Sequence, residues 1–100
     1  FEDFVKQLKA VASYKLVIKR TAAKEIESIG QKKTRQRIVA RIRALAEDPR
    51  PHGCEKLSGK NPYYRIRQGR FRILYEVKDQ ELIVYVVRVA DRRDAYQRIT

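Results

Sequence analysis

Hydrophobic positions along this 100-residue chain change their spacing several times, and each change predicts an element. Phe1, Phe4, Val5, Leu8 and Val11 recur at helical intervals, with Glu2, Lys6, Gln7 and Lys9 between them, which predicts a short amphipathic helix over residues 1–11. A helix that short is marginal alone in water, so its apolar stripe has to dock on this domain or on another chain. From Tyr14 to Lys19 the order YKLVIK alternates and is β-branched, as a strand requires. Thr21 is then placed to cap a helix through Ala22–Ile29, with Gly30 as its terminator. A longer helix is predicted from Lys32 to Glu47, with Ile38, Val39, Ile42, Leu45 and Ala46 on one face and Asp48-Pro49 as its stop. Arg50–Pro62, with Pro51, Gly53, Gly59 and Pro62, reads as a loop.

Three strands follow. Tyr63–Arg67 runs to a turn at Gln68-Gly69-Arg70, Phe71–Lys78 to a turn at Asp79-Gln80, and Leu82–Val89 completes an antiparallel meander. The expected fold is α+β, a small β-α-α-β-β-β sheet with two helices packed on one face. Residues 13–100 form one domain, and residues 1–12, with no initiating methionine, read as an appended helical extension.

Charge sharpens this outline. A formal net charge of +12 makes a polyanion the natural partner, with binding that weakens steeply as salt rises. The hydrophobic share of 43% is enough for a modest core without staples. Cys54 is the single cysteine, so no internal disulfide can form, and the absence of a leader or a long apolar run predicts a reducing, soluble, cytoplasmic setting with no membrane partner. His52 and Cys54 sit beside Pro51 and Gly53 in the loop and read as a pair without a role. No Cys/His cluster of zinc type exists, and neither a metal nor a cofactor is expected.

The basic residues are not spread evenly. Between Lys56 and Arg72 lie six cationic side chains and no carboxylate, interleaved with tyrosines and a phenylalanine, and ADRRDAY follows at Ala90–Tyr96. Strand alternation puts Arg65 and Arg67 on one face, opposite Tyr64 and Ile66. In the next strand Phe71, Ile73, Tyr75 and Val77 share a face, which leaves Arg70 and Arg72 on the other. Arg65, Arg67 and Arg72 can therefore form one cationic patch, and like charges crowded on a sheet cost stability unless an anion neutralises them. Each guanidinium forks onto phosphate oxygens and stays charged at physiological pH. Tyr96, beside Arg92 and Arg93, either covers the core or stacks an unpaired base. Asp91 and Asp94 pair with Arg92 or Arg93, or accept a proton. The competing reading is a solvated basic surface.

Taken in order, Y-x-L-V-I, K-L-x-G, Y-R-I-R-x-G-R-F-R-I-L-Y and I-V-Y-V-V-R-V-x-D-R-R-D-A-Y resemble a RelE toxin of the RelE/ParE superfamily, from about Ser13 to the C-terminus. The resemblance implies a metal-independent endoribonuclease that cuts mRNA in the ribosomal A site by attack of a 2′-hydroxyl on the adjacent phosphate. It implies a RelB-like antitoxin and the 70S ribosome with its mRNA as partners, and it offers an antitoxin-like origin for the extension at residues 1–12. Arg65 and Arg67 fall where the family has basic residues, often lysines, Arg72 matches the arginine of G-x-(Y/F)-R, and Arg92 and Tyr96 match the C-terminal Arg and Tyr. Those five are the expected catalytic residues, with Lys56, Lys60, Arg70 and Arg93 expected to contact RNA or ribosome. Two departures stand out: arginine replaces a lysine that can carry a proton, and Asp91 stands where many relatives have histidine. The alternatives are a ParE-like, noncatalytic inhibitor of DNA gyrase on the same fold, and a noncatalytic nucleic-acid-binding module.

Overall fold

The computed structural model describes residues 13–91; the helix expected over residues 1–11 and the roles expected of Arg92, Arg93 and Tyr96 fall outside them. Among the described residues β1 (Lys15–Ile18) leads to α1 (Arg20–Glu27) and α2 (Lys32–Glu47), followed by β2 (Glu55–Lys56), β3 (Tyr63–Gln68), β4 (Phe71–Lys78) and β5 (Ile83–Asp91). The strands form one sheet in the order β1-β5-β4-β3-β2. β1 pairs parallel with β5, and the remaining pairs are antiparallel. The two helices carry the chain from β1 at one edge of the sheet to β2 at the other, and β5 returns to lie beside β1.

Apolar spacing decides which face each element buries. Ile38, Ile42 and Leu45 make the inward stripe of α2, and Ala22 and Ile26 that of α1. They pack on Ile66, Ile73, Tyr75, Val84, Val86 and Val89 of the sheet. Tyr75 is fully buried, stacks on Tyr64 at a ring-centroid distance of 5.8 Å, and donates from its hydroxyl to the Pro49 carbonyl at 2.7 Å. Burial pushes its phenol pKa well above the usual tyrosine value. The Tyr14 N–H donates to the Ala46 carbonyl at 2.7 Å, which satisfies one of the carbonyls left open at the end of α2.

The structure corrects several boundaries. α1 starts at Arg20, with Lys19 at the cap in extended conformation and no side-chain capping bond, so Thr21 lies inside the first turn rather than at its head. The helix also ends at Glu27, before Gly30, because Ile29 turns into the core. The segment expected to be all loop contains β2, two residues held by pairing of Glu55 with Arg65 and Lys56 with Tyr64. Strand β5 begins at Ile83. Leu82 belongs to the preceding turn, where its φ of 56° is a left-handed conformation unfavourable for a branched side chain. β5 also extends to Asp91, with a register irregularity at Leu74/Tyr75 that shifts its last residues by one. Among the described residues no helix is long and apolar enough to cross a membrane.

Candidate functional site

The face of the sheet away from the helices carries the basic cluster. Arg65 and Arg67 point to it from β3, and Arg72 from β4, because pairing partners in a sheet share a face and Arg67 stands directly opposite Arg72. The geometry of the β3–β4 connection fixes that opposition. Only Gly69 and Arg70 separate the strands, and the φ of 61° at Gly69 is one a two-residue hairpin needs and glycine adopts without strain. A one-residue slip would send every arginine to the core side.

The three arginines are not equivalent. Arg72 is only 5% exposed, the single buried charged residue among those described, since β3 and β5 flank it and Ala90 is its partner on β5. Arg67 is exposed, and with Gly69, Arg70 and Arg72 it lines a hollow of about 80 Å³, space for a single phosphoryl group. Arg65 is held from the edge: its Nη2 donates to Glu55 Oε2 at 2.9 Å across the short β2–β3 pair. β2 thus orients one member of the cluster.

Arg70 borders that hollow from the turn, but its guanidinium is engaged by a carboxylate. It sits in the turn, donating from Nε to Asp91 Oδ2 at 2.7 Å with a second contact from Nη2, and lies over the Phe71 ring. Asp91 was expected to pair with Arg92 or Arg93, which lie outside the described residues; its described partner comes from the turn between β3 and β4. Lys56 is paired with Tyr64 and so takes the helix-side face at the sheet edge, away from the three arginines, and Lys60 is exposed in the loop that follows. Neither is brought to the cluster.

The sequence pattern did not single out Glu55, and it gave Asp91 other partners than Arg70. The run from Lys56 to Arg72 holds no acid of its own, yet Glu55, ten residues from Arg65, and Asp91, 21 residues from Arg70, supply the counter-charges. A second hollow, of about 620 Å³, opens beside the turn on the helix side, lined among others by Gln31, Thr34, Arg37, Gln68 and Arg70.

The groups with displaced pKa values lie at the other end of β4. Asp79 is held down to about 2 by hydrogen bonds from Arg50 and from the Tyr14 hydroxyl, with Arg50 as the larger cause. Arg50 grips it through two nitrogens, at 3.0 and 2.7 Å, and also donates to the Tyr64 hydroxyl at 3.0 Å. Arg72 and Asp79 are separated along β4 by about 23 Å at strand rise, so this network ties turn to loop and plays no part in the cluster. Among the described residues no group of three His, Cys, Asp or Glu side chains could hold a metal ion.

A family model describing the ParE toxin of the type II toxin-antitoxin system, parDE, matches residues 16–96. No curated protein sequence matches this chain significantly. Among solved structures, the chain is similar to the intact RelBE toxin-antitoxin complex of E. coli at 28% identity and a TM-score of 0.67, covering 78% of this chain and 95% of that one. It is similar to the toxin-antitoxin complex RelBE2 of Mycobacterium tuberculosis at 21% identity and a TM-score of 0.70, covering 80% and 99%. A YoeB/ParE toxin from Agrobacterium tumefaciens matches at 22% identity and a TM-score of 0.67, covering 77% and 96%. At those last two identities the likeness is one of fold.

Proposed function

Because this chain belongs to the ParE toxin family of type II toxin-antitoxin systems, as a RelE-like member of the RelE/ParE superfamily, we propose that it is a metal-independent endoribonuclease that cleaves mRNA in the ribosomal A site. The observation that carries this reading is the direct opposition of Arg67 and Arg72 on the sheet face away from the helices, around a hollow sized for one phosphoryl group. Two guanidinium groups on facing residues can fork together onto the oxygens of one phosphoryl group.

In the reaction the ribose 2′-oxygen forms a bond to the adjacent phosphorus while the bond to the 5′-oxygen breaks, leaving a 2′,3′-cyclic phosphate and a 5′-hydroxyl. Charge accumulates on the nonbridging oxygens as the phosphorus becomes five-coordinate. Arg72, preorganised by its burial in the central strand, and Arg67 across from it hold that charge; removing one such donor typically lowers the rate by about 10²–10³. Arg65, oriented by Glu55, extends the cation line along the backbone, and Arg92 and Tyr96 complete the site as phosphate and base contacts. Arginine does not release its proton at these pH values, so the 2′-proton goes to Asp91, Tyr96 or water, and the 5′-oxygen is reprotonated in turn. Alignment of the 2′-oxygen with the departing 5′-oxygen supplies much of the remaining acceleration.

A RelB-like antitoxin, the 70S ribosome and its mRNA are the partners that accompany this function, in the cytoplasm. An apolar groove of about 540 Å³ on the helix side, with Ile26, Val39 and Ala40 between Arg35 and Arg43, supports antitoxin docking there. The family match to ParE favours a second reading, a noncatalytic inhibitor of DNA gyrase. One experiment separates the two. Purified toxin is added to programmed ribosomes, mRNA ends are mapped by primer extension, and gyrase supercoiling is assayed in parallel. Codon-positioned cuts that vanish in Arg72→Ala and Arg92→Ala, with both variants folded, are expected; gyrase inhibition without cuts overturns the ribonuclease.

A further inference from the structure

The larger hollow beside the β3–β4 turn takes no part in the cleavage step, yet it shares a wall with the phosphoryl hollow. Gly69 and Arg70 line both, the small one on the sheet face away from the helices and the one of about 620 Å³ on the helix side. That volume falls among those of small-molecule sites, about 300–1,000 Å³, and suits a nucleotide. A strand whose phosphate sits between Arg67 and Arg72 therefore reaches the larger hollow by crossing a two-residue turn.

Its walls carry the chemistry that reads a base. Gln68, Phe71 and Asp91 lie side by side across β3, β4 and β5, so their side chains share the helix-side face of the sheet. Asp91 holds the Arg70 guanidinium, with Nε at 2.7 Å from Oδ2, and that guanidinium lies 5.9 Å from the centroid of the Phe71 ring. The Arg70 side chain is still 74% exposed, so the group is fixed on one side and open on the other. Bases of unpaired RNA stack on guanidinium planes as they do on aromatic rings.

Beside this platform the half-buried Gln68 carboxamide has no partner among the described residues, and it presents a donor and an acceptor together. Glutamine pairs in this way with the N6/N7 edge of adenine. From α2, Arg37 lines the same hollow, exposed and paired with no carboxylate among the described residues, which leaves its guanidinium for a phosphate. The two carboxylates of the hollow, Glu25 and Asp91, are each held by an arginine. An acidic peptide would engage Arg37 but leave the Gln68 carboxamide and the Arg70 plane without a counterpart.

We propose that this hollow is a nucleotide subsite: it takes the nucleotide of single-stranded RNA that neighbours the scissile phosphate, with Arg70 stacking the base, Gln68 reading its edge with a preference for adenine, and Arg37 holding the next phosphate. Its place beside a cut rests on the ribonuclease reading, whereas the subsite itself rests on the shared turn and the lining side chains. Gln68 and Arg37 govern binding and choice of base and touch no reacting atom.

The test uses the purified protein and short one-base oligonucleotides of A, C, G or U with 2′-O-methyl sugars, which bind but cannot be cut. NMR shifts of the wild-type protein locate the oligonucleotide. Dissociation constants are then measured over a range of salt for wild type, Gln68→Ala, Arg37→Gln and Arg20→Gln, the last removing an exposed charge at the start of α1. In the wild type we expect the resonances of Gln68, Gly69 and Phe71 to move and the A oligonucleotide to bind most tightly. Gln68→Ala is expected to remove that preference while the salt dependence stays as it is. Arg37→Gln is expected to weaken all four by roughly 10-fold and to lower the slope of log K against log salt by about 0.7, the value of one single-strand phosphate contact; Arg20→Gln should do neither. Equal losses in Arg37→Gln and Arg20→Gln, or shifts confined to other surfaces, overturn the subsite in favour of a diffuse positive field. So does loss of antitoxin affinity in Gln68→Ala or Arg37→Gln with RNA binding intact, which makes the hollow a protein-docking pocket. Cleavage on programmed ribosomes keeps the two readings apart. A protein that binds the A oligonucleotide through Gln68 but cuts no mRNA retains the subsite and sinks the ribonuclease, whereas cleavage whose choice of codon is unmoved by Gln68→Ala retains the ribonuclease and overturns the subsite's place beside the cut.

Discussion

Replacing Arg67 with glutamine should make the protein more stable and less active at the same time. Arg67 stands opposite Arg72 in the β3–β4 ladder, and Cβ atoms of such a pair are about 5 Å apart. For an assumed guanidinium separation of roughly 6–8 Å, two such charges repel by about 0.5–0.7 kcal/mol at the dielectric of water and about 2–3 kcal/mol at an effective value of 20. The solvent-like figure weighs more, because Arg67 is exposed although Arg72 is not. A gain of about 0.6 kcal/mol raises the melting temperature of a domain this size by roughly 2–5 °C. The gain must be electrostatic, so it should shrink in about 1 M salt, where the Debye length falls to about 3 Å. Thermal unfolding followed by circular dichroism at low and high salt reads the first half, and cleavage on programmed ribosomes, expected to fall by about 10²-fold, reads the second. Arg67→Gln that melts lower than wild type, or whose gain is indifferent to salt, refutes the argument that these strands carry stored repulsion. Full retention of cleavage refutes the phosphate clamp.

Three further outcomes follow from individual contacts. The Asp79 pKa, held down to about 2 against an ordinary 3.8, makes its ion pair a source of stability that is complete above about pH 5 and lost as pH falls from about 4 toward 2; the melting-temperature difference between wild type and Asp79→Asn should therefore close over that range, and a constant difference would rule the linkage out. Tyr75→Phe deletes the hydroxyl that serves the buried Pro49 carbonyl and should cost about 1–3 kcal/mol in urea unfolding, with an effect below a few tenths meaning that water replaces the bond. Ile42→Ala, at the centre of the inward stripe of α2 and 1% exposed, should cost about 2–5 kcal/mol by the same measurement, and a smaller loss would show that the helix resettles on the sheet.

Most of the fold was legible because its signals are local. The boundaries of α2 are those that Asp48-Pro49 and the spacing of Ile38, Ile42 and Leu45 predict, and β4 runs over Phe71–Lys78 as its alternation requires. The errors fall where a long-range partner overrides a local cue. β2 has two residues with no strand pattern of their own, and exists because Glu55 and Lys56 meet Arg65 and Tyr64. Thr21, a favoured capping residue, is displaced from the cap because α1 starts only two residues after β1 ends, at Arg20 with Lys19 at the cap.

The sequence by itself determined that three arginines share one sheet face, since the side-chain period of a strand is two and a glycine turn of fixed length sets the register. It also determined the excess of positive charge and the two-helix, one-face architecture. Only the tertiary structure decided which arginine is buried, which is held by Glu55, and that Arg70 turns to Asp91 rather than joining the face. It alone brought the Glu25 carboxylate to the Val89 N–H, 64 residues away, beyond the point where β1 stops pairing with β5. The physical reason is that alternation is a property of consecutive residues, whereas burial and counter-charge depend on which distant strand or helix the sheet order brings alongside.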